Sequence, residues 1–304
     1  MTKNLKGTLI LALTAIIWGI SFVSQSVSME HIEPNTFTGI RTLLGCITLL
    51  PFIFFRNMKE KRDASPKAKN ESRKDVIIGG IICGVLLCIA STVQTYGMKY
   101  TTAGKSGFIT AMYMILVPIV SIFMGKKIRP TVIVCVLLAI TGLYFLCIKK
   151  GEFSMGYGDL VTLVCAVFFT FHILVIDHYS PRVDGIKLSC MQFFVAGTIN
   201  IIIMFIFEKP VLKDILICAV PILYSGIMSC GVAYTLQIIG QKYAEPTVAS
   251  LVMSMESVFA ALAGWAILGQ GMNGREILGC ILMFGAITLV QLPEKKKNPE
   301  KIYG

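Results

Sequence analysis

The most chemically distinctive residue of the sequence is Glu256, an acid in the middle of an apolar segment that covers residues 247–269. A segment of this length crosses a bilayer as a helix, and a charged carboxylate at its centre costs about 2.5–3.5 kcal/mol on insertion scales. Burial favours the neutral acid, whereas a nearby cation favours the charged form. Two interpretations stay open. Glu256 faces a cavity, where it exchanges a proton or binds a cationic group, or it is a structural acid that is hydrogen-bonded between helices.

Arg41 is a basic residue in a comparable position, five residues inside the apolar segment 36–56. Its guanidinium has the geometry to bind a carboxylate through two hydrogen bonds. It also lies close enough to the end of the segment for its charge to reach the lipid headgroups. The sequence therefore leaves two alternatives for Arg41, carboxylate binding in a cavity and anchoring at the headgroups.

Uncharged polar and aromatic residues supply the other candidates for a polar cavity. Polar side chains concentrate in the apolar segment 75–97 and again in segment 214–238, where paired glutamines favour a cavity or helix contacts over lipid. The histidine beside two phenylalanines is either a proton relay or, more simply, a satisfied core residue, and the tryptophans either pack or line the cavity. The candidates for substrate binding or coupling are Glu256, Arg41, Gln192, Gln94, Gln237, Tyr96, Tyr234, Trp18, Trp265 and His172.

The composition indicates the solvent in which these residues lie. Of 304 residues, 55% are hydrophobic and only 15% are charged, and the mean hydropathy is +0.74. Soluble domains carry about 25% charged residues, so this chain has too little polar surface for a globule in water. We expect an all-α integral membrane protein with ten transmembrane helices, at residues 6–27, 36–56, 75–97, 104–125, 130–148, 158–178, 187–207, 214–238, 247–269 and 275–292.

The sequence disfavours enzymatic and metal-dependent functions. The longest predicted loop, residues 57–74, leaves no room for a soluble catalytic domain. The three histidines are scattered, neither HExxH nor CxxC occurs, and the ten cysteines fall inside predicted helices as small packing residues. We therefore expect no catalytic residue, no cofactor and no metal, and a membrane enzyme is the least favoured class.

Basic residues predict the orientation of the chain in the membrane. With the N-terminus in the cytoplasm, the inside segments carry 20 Lys and Arg residues, the outside segments carry 7, and Arg41 lies within a span. We expect a multi-pass protein of the cell membrane with both termini in the cytoplasm. The net charge of +11 follows from this topology and from contact with membrane lipids, so no nucleic-acid partner is expected.

The chain also contains an internal repeat. Residues 94–100, QTYGMKY, match residues 237–243, QIIGQKY, at four of seven positions with an offset of 143. Matches at an offset of 151 are Gly7 with Gly158, Leu9 with Leu160 and Ala15 with Ala166. Each half holds five predicted spans, and because five is odd, the two halves lie in opposite orientations. The predicted units are residues 5–148, residues 156–292 and a basic cytoplasmic tail, 293–304. The offset of 151 also pairs Arg41 with Gln192.

An inverted repeat is typical of carriers whose two halves pack in two alternative ways, one opening a central cavity outward and the other inward. The sequence therefore favours secondary transport by alternating access. Channels use inverted repeats too. A channel or a lipid or solute translocator with the same bundle is the alternative.

Three stretches of the sequence resemble the EamA-type carriers of the drug/metabolite transporter superfamily. They are Ile17-Trp18-Gly19-Ile20-Ser21-Phe22, Tyr100-Thr101-Thr102-Ala103-Gly104, and Met255-Glu256-Ser257-Val258-Phe259-Ala260-Ala261-Leu262 with Gly264-Trp265. The resemblance covers residues 5–292. Two positions depart from the family pattern, since Ser257 replaces a frequent proline and Gln270 replaces a glutamate. No functional role is therefore transferred to residue 270.

This resemblance implies a ten-helix bundle around a central cavity and transport of a small metabolite that is amino-acid-like, amphipathic or drug-like, with export as the expected direction. The implied partners are a small-molecule substrate, membrane lipids, and protons or another coupling ion, in a monomer or a homodimer. Substrate, direction, coupling ion and oligomeric state are left open by the sequence.

Overall fold

The helices of the protein follow the predicted spans. The computed structural model describes residues 3–62, 73–101, 103–148, 155–269, 271–290 and 292, and these residues contain helices but no strand. Parts of the predicted loop 57–74 and the tail 293–304 lie outside the described residues. The helices are Lys3–Ser28, Pro34–Arg62, Arg73–Met98, Ala103–Thr110, Tyr113–Phe123, Pro130–Cys147, Tyr157–Tyr179, Gly185–Phe207, Leu212–Ile217, Ala219–Tyr224, the π-helix Ser225–Tyr234, Thr235–Gln241, Pro246–Met253, Glu256–Leu268 and Gly274–Val290.

We number the spans from first to ninth, the fourth containing two of these helices, the eighth three and the ninth two. Within the described residues, nine segments are long and apolar enough to cross a membrane. The last helix, Gly274–Val290, corresponds to the tenth predicted span, but its 17 residues make it shorter than any of the nine. The all-helical membrane fold is confirmed. The count of ten stays a prediction.

Two spans are interrupted at equivalent places. The fourth span breaks between Thr110 and Tyr113, and the ninth span breaks between Met253 and Glu256. Both flanking residues of the first break lie 143 positions before those of the second, which is the offset of the sequence repeat. The hydroxyl of Ser257 in the ninth span donates to the backbone carbonyl of Gly107 in the fourth at 3.2 Å. The two breaks therefore face each other inside the bundle.

Matched glycine contacts join the N-terminal and C-terminal halves. A Cβ added to Gly7 in the first span would lie 3.1 Å from the carbonyl oxygen of Gly240 in the eighth. A Cβ added to Gly158 in the sixth span would lie 2.8 Å from the carbonyl oxygen of Gly97 in the third. The first pair of residues corresponds to the second under the two repeat offsets. The same close helix crossing, which only small residues permit, therefore occurs twice, each time between one half and the other.

Candidate functional site

A narrow cavity, with about 30 Å³ open to the centres of water molecules, lies at the centre of the bundle. Seven spans contribute to its wall, namely the first, second, third, fourth, sixth, eighth and ninth. The wall combines apolar surfaces with polar groups that point inward, which is the usual constitution of a small-molecule site. Its lining residues are Trp18, Phe22, Gln25, Arg41, Gln94, Thr110, Tyr113, Phe169, His172, Ile173, Ser229, Tyr234, Gln237, Met253 and Glu256.

Glu256 is the first residue of the helix that follows the break in the ninth span. The hydroxyl of Tyr113 donates a hydrogen bond to Oε1 of Glu256 at 2.9 Å, and the acid is only 5% exposed. The dipole at the start of a helix also favours a carboxylate at this position. Tyr113 likewise begins the helix after the break in the fourth span. Tyr113 and Glu256 are 143 positions apart and in contact, so two repeat-equivalent residues meet where the two halves face each other.

Arg41 is buried in the second span with 3% of its surface exposed. Its guanidinium carbon lies 5.1 Å from the centre of the Phe37 ring, and its Nε has no hydrogen-bond partner among the described residues. A side chain that anchors the protein at lipid headgroups would be exposed at the surface. The burial of Arg41 instead turns a hydrogen-bond donor with a positive charge toward the cavity.

His172 and Gln192 form a polar pair between the sixth and seventh spans. Nε2 of His172 lies 3.0 Å from Oε1 of Gln192, and both residues are fully buried. The pair does not satisfy all the polar atoms, because Nδ1 of His172 and Nε2 of Gln192 have no partner among the described residues. His172 lines the cavity and Gln192 lies behind it. Gln192 therefore positions His172 and does not itself face the cavity.

The two glutamines that the repeat pairs both line the cavity, but they are bonded differently. Gln94 donates through Nε2 to the hydroxyl of Thr110 at 3.1 Å. Gln237 has a buried Oε1 without a donor among the described residues. The repeat thus places equivalent amides on opposite sides of the cavity and leaves one acceptor available there.

Aromatic rings form one wall of the cavity. Trp18 and Tyr234 have ring centres 4.7 Å apart, and the rings of His172 and Phe193 lie 6.1 and 5.8 Å from that of Tyr234. The indole N–H of Trp18 is buried and has no acceptor among the described residues. This wall offers an apolar face that also carries one hydrogen-bond donor.

The structure does not bring all the predicted residues together. Tyr96 is 38% exposed and stacks with Tyr100, and Trp265 is 56% exposed on the surface of the bundle. Neither lines the cavity. Residue type alone does not tell which face of a helix a tryptophan occupies, and Trp265 lies on a face that points away from the other helices.

The sequence analysis missed several lining residues, of which Tyr113 is the most important. It lies in a continuous apolar run, where a tyrosine attracts no notice. The repeat offset of 143, counted back from Glu256, would have found it. Ser229 was missed because it lies between Met228 and Cys230 in an apolar stretch, and Gln25 because it is one of several polar residues, Ser24, Ser26 and Ser28 among them, near the end of its helix.

A second and wider cavity, with about 550 Å³ open to the centres of water molecules, lies at the end of the bundle where the amine of Lys6 sits 4.8 Å over the ring of Tyr243. The predicted orientation places this end in the cytoplasm. Gln241 lines the second cavity, and its Nε2 donates to the backbone carbonyl of Ile173 at 3.0 Å. Since Ile173 also lines the central cavity, this hydrogen bond separates the two spaces.

No metal centre is found where the structure describes the chain, since His, Cys, Asp and Glu side chains form no group of three or more that could hold an ion there. All ten cysteines are free thiols. The polar groups of the cavity wall are charged, amide, hydroxyl and aromatic side chains, which can bind a ligand through hydrogen bonds and charge.

The fold and the cavity define a multi-pass helical membrane protein with a polar chamber between two interlocked halves. A sequence model of the EamA-like transporter family matches residues 5–148 and again residues 156–292. The chain belongs to this family, and the resemblance identified from the sequence is confirmed.

Named relatives agree with this assignment. An "Uncharacterized transporter" of Archaeoglobus fulgidus is 30% identical, the alignment covering 95% of this chain and 87% of the relative. The "Uncharacterized transporter YoaV" of Bacillus subtilis is 23% identical, covering 88% and 90%. A solved structure titled "Crystal structure of protein" has a TM-score of 0.73 at 17% identity, covering 94% of this chain and 96% of the other, and it shares the fold. The protein is thus a membrane transporter by family, and a small-molecule substrate is implied.

Proposed function

We propose that the protein is a secondary transporter that moves a small zwitterionic metabolite, one with a carboxylate and an amino group, across the cell membrane by alternating access. The observation that carries this proposal is the presence of a buried cation and a buried acid, Arg41 and Glu256, on the wall of one cavity. Arg41 supplies the site for the carboxylate. Glu256 supplies the site for the ammonium group, or a proton-exchanging group for coupling.

The remaining polar atoms support the same class of ligand. Where the structure describes the chain, Trp18 and Arg41 present nitrogen donors without acceptors, whereas Gln25 and Gln237 present amide oxygens without donors. A buried polar group without a partner is costly. A ligand that carries both acceptors and donors therefore gains binding free energy from a hydrogen bond to each of these groups. Apolar residues, among them Phe22, Phe169 and Met253, fill the rest of the wall and favour an apolar side chain on the ligand.

Alternating access is supported by the matched architecture of the halves. We take residues 5–148 and 156–292 as two five-helix units of opposite orientation, since the family model matches each separately and the glycine crossings and helix breaks recur in both. Two related halves can exchange their packing arrangements, opening the cavity to one side at a time. The open cavity at the predicted cytoplasmic end supports loading from inside and hence export, with both termini in the cytoplasm.

The test is ligand-induced stabilisation of the purified protein, followed by transport in liposomes. The probes are leucine and phenylalanine, with the N-acetyl derivative and the amide of each. Binding raises the melting temperature by mass action, and the proposal predicts that only the parent amino acids, which carry both charges, stabilise the protein. An equal rise with the N-acetyl derivatives, which lack the ammonium group, would overturn the zwitterion assignment.

Transport itself is measured as counterflow of radiolabelled leucine in proteoliposomes. A carrier gives saturable uptake that is accelerated by unlabelled leucine on the opposite side. Uptake that does not saturate and follows the membrane voltage would instead identify a channel. Flux compared between inside-out and right-side-out vesicles tests the direction.

A further inference from the structure

The eighth span contains an unusual element, the π-helix Ser225–Tyr234, which is 10 residues long. Its repeat-equivalent, the third span, is one α-helix over the whole range Arg73–Met98. π-Helices are rare, and most occur as short widened turns at functional sites. The two halves therefore differ in backbone geometry at this place although they match elsewhere.

Glycine contacts show which residues of the third and eighth spans are repeat-equivalent near the start of the π-helix. A Cβ added to Gly84 in the third span would lie 2.6 Å from Cβ of Val195, and one added to Gly226 in the eighth would lie 2.6 Å from Cδ2 of Leu44. Leu44 and Val195 are 151 positions apart, which is the offset of the repeat in this part of each half. Gly84 and Gly226 are therefore equivalent, with an offset of 142.

A second pair of contacts fixes the equivalence beyond the element. A Cβ on Gly97 would press on Oγ1 of Thr162, and one on Gly240 would lie 2.8 Å from Cγ of Leu11. Leu11 and Thr162 are again 151 positions apart, so Gly97 and Gly240 are equivalent, with an offset of 143. Gly240 thus lies 14 residues after Gly226 in the eighth span, whereas Gly97 lies 13 residues after Gly84 in the third.

The extra residue lies between Cys230 and Ala233, and pairing Ile89 with the similar Val232 leaves Gly231 over. With Gly231 left unmatched, identical residues align on both sides of the gap. These pairs are Gly84 with Gly226, Cys88 with Cys230, Ala90 with Ala233, Thr92 with Thr235, Gln94 with Gln237 and Gly97 with Gly240. An α-helix that gains one residue while both ends stay fixed must widen one or more turns, and the widened form is the π-helix.

Two threonines satisfy backbone carbonyls inside this π-helix. The hydroxyl of Thr235 donates to the carbonyl of Gly231 at 2.7 Å, and the hydroxyl of Thr14 in the first span donates to the carbonyl of Ala233 at 3.3 Å. The equivalent of Thr235 in the third span, Thr92, donates to the side chain of Asn200 instead. Backbone groups in a bilayer must find partners within the protein, so these hydroxyl contacts are the supports of the widened turns.

We propose that the inserted Gly231 is a positioning residue for transport, because it makes the eighth span the bending element of the cycle while the third span moves as a rigid rod. The π-helix lines the central cavity through Ser229 and Tyr234. Its widened turns pack less tightly along the helix axis than α-helical turns, and helices bend where such turns occur. The part in transport rests on the proposed function, whereas the difference in rigidity between the two spans does not.

Hydrogen–deuterium exchange of the wild-type protein in lipid nanodiscs tests the rigidity difference without any substrate. Amides of residues 227–236 are compared with those of the matched segment 85–93. The proposal predicts exchange that is about tenfold faster in the eighth span, since opening of the wider turns costs less. Equal exchange in the two segments overturns the proposal, whatever the transport assay shows.

Deletion of Gly231 tests the part in transport. In the third span, an α-helix makes both glycine contacts with its two glycines 13 residues apart. The deletion variant is therefore expected to fold with a melting temperature close to that of the wild type. It is also expected to lose most of its leucine counterflow. Gly231→Ala is the matched control, because it keeps the extra residue and its Cβ would lie 3.2 Å from Cγ2 of Thr48, so this neighbour has to shift by only a few tenths of an ångström. It is expected to retain transport.

Counterflow by the deletion variant at the wild-type rate overturns the proposal. If the deletion variant does not fold, the decision falls to the exchange measurement. Absence of leucine counterflow in the wild type itself would instead count against the proposed function and would leave the exchange result valid.

Discussion

A hydrogen bond between two repeat-equivalent residues should tolerate an exchange of its partners. Tyr113 and Glu256 each begin a helix after a matched break, and they contact each other at 2.9 Å. If the two halves are related by a twofold axis, this contact lies on or near the axis, and each side chain has a similar environment. The double variant Tyr113→Glu with Glu256→Tyr should therefore rebuild the bond in reverse.

The expected magnitudes follow from the burial of both groups, which are 3% and 5% exposed. Tyr113→Phe leaves the buried acid without its donor, at a cost of about 1–3 kcal/mol. Tyr113→Glu alone places two acids against each other. A buried charge that loses its partner lowers the free energy of unfolding by about 3–5 kcal/mol. Since a chain of 150–250 residues loses about 2–4 °C of melting temperature per kcal/mol, the single exchange should lower the melting temperature by roughly 6–20 °C.

The assay is thermal unfolding of the purified protein, with leucine counterflow as the functional readout. The double exchange should recover at least about half of the melting temperature that the more damaging single exchange loses, because the effects of two residues in direct contact are strongly coupled. The reasoning is refuted if the double variant loses as much melting temperature as the two single variants together. This result would mean that the two positions are not equivalent.

Three further predictions concern the cavity and the helix crossings. Arg41→Lys should raise the leucine concentration for half-maximal stabilisation by about tenfold, because a lysine lacks the two-pronged geometry for a carboxylate, and an unchanged concentration would count against carboxylate binding. Glu256→Gln should abolish uptake driven by a pH gradient if this acid exchanges the coupling proton, while normal pH dependence would assign it to the ammonium group or to structure. Gly19→Ala should lower the melting temperature by several degrees, since the new Cβ would lie 2.5 Å from Cβ of Phe259, whereas Gly285→Ala, with open space around it, is the matched control and should not.

Much of the fold was predictable from the sequence because a bilayer imposes its own pattern. Long apolar runs and charged breaks predicted the nine spans that the structure describes, and the desolvation cost of Glu256 and Arg41 drew attention to two residues that do line the cavity. These signals are local. They depend on the composition of one segment, not on how segments pack.

The features that the sequence did not reveal arise from packing between helices. The breaks at Ala111-Met112 and Ser254-Met255 contain neither proline nor glycine, so no local signal marks them. The glycines and serines of the π-helix do not identify it, since such residues are common in transmembrane helices, and a change of the repeat offset from 142 to 143 is the sequence feature that records it. The exposure of Trp265 depends on which helices surround the ninth span, and that information exists only in three dimensions.

If two related halves lie in opposite orientations in the membrane around one cavity, Lys99 and Lys242 lie on opposite faces of the membrane, and cysteine labelling measures this. These residues are equivalent in the repeat and follow the third and eighth spans. Lys99→Cys and Lys242→Cys are labelled separately in intact cells with a membrane-impermeant maleimide, against the wild type with its native cysteines as background. We expect labelling of Lys99→Cys in intact cells and of Lys242→Cys only after permeabilisation. Labelling of both variants from the same side would contradict this expectation.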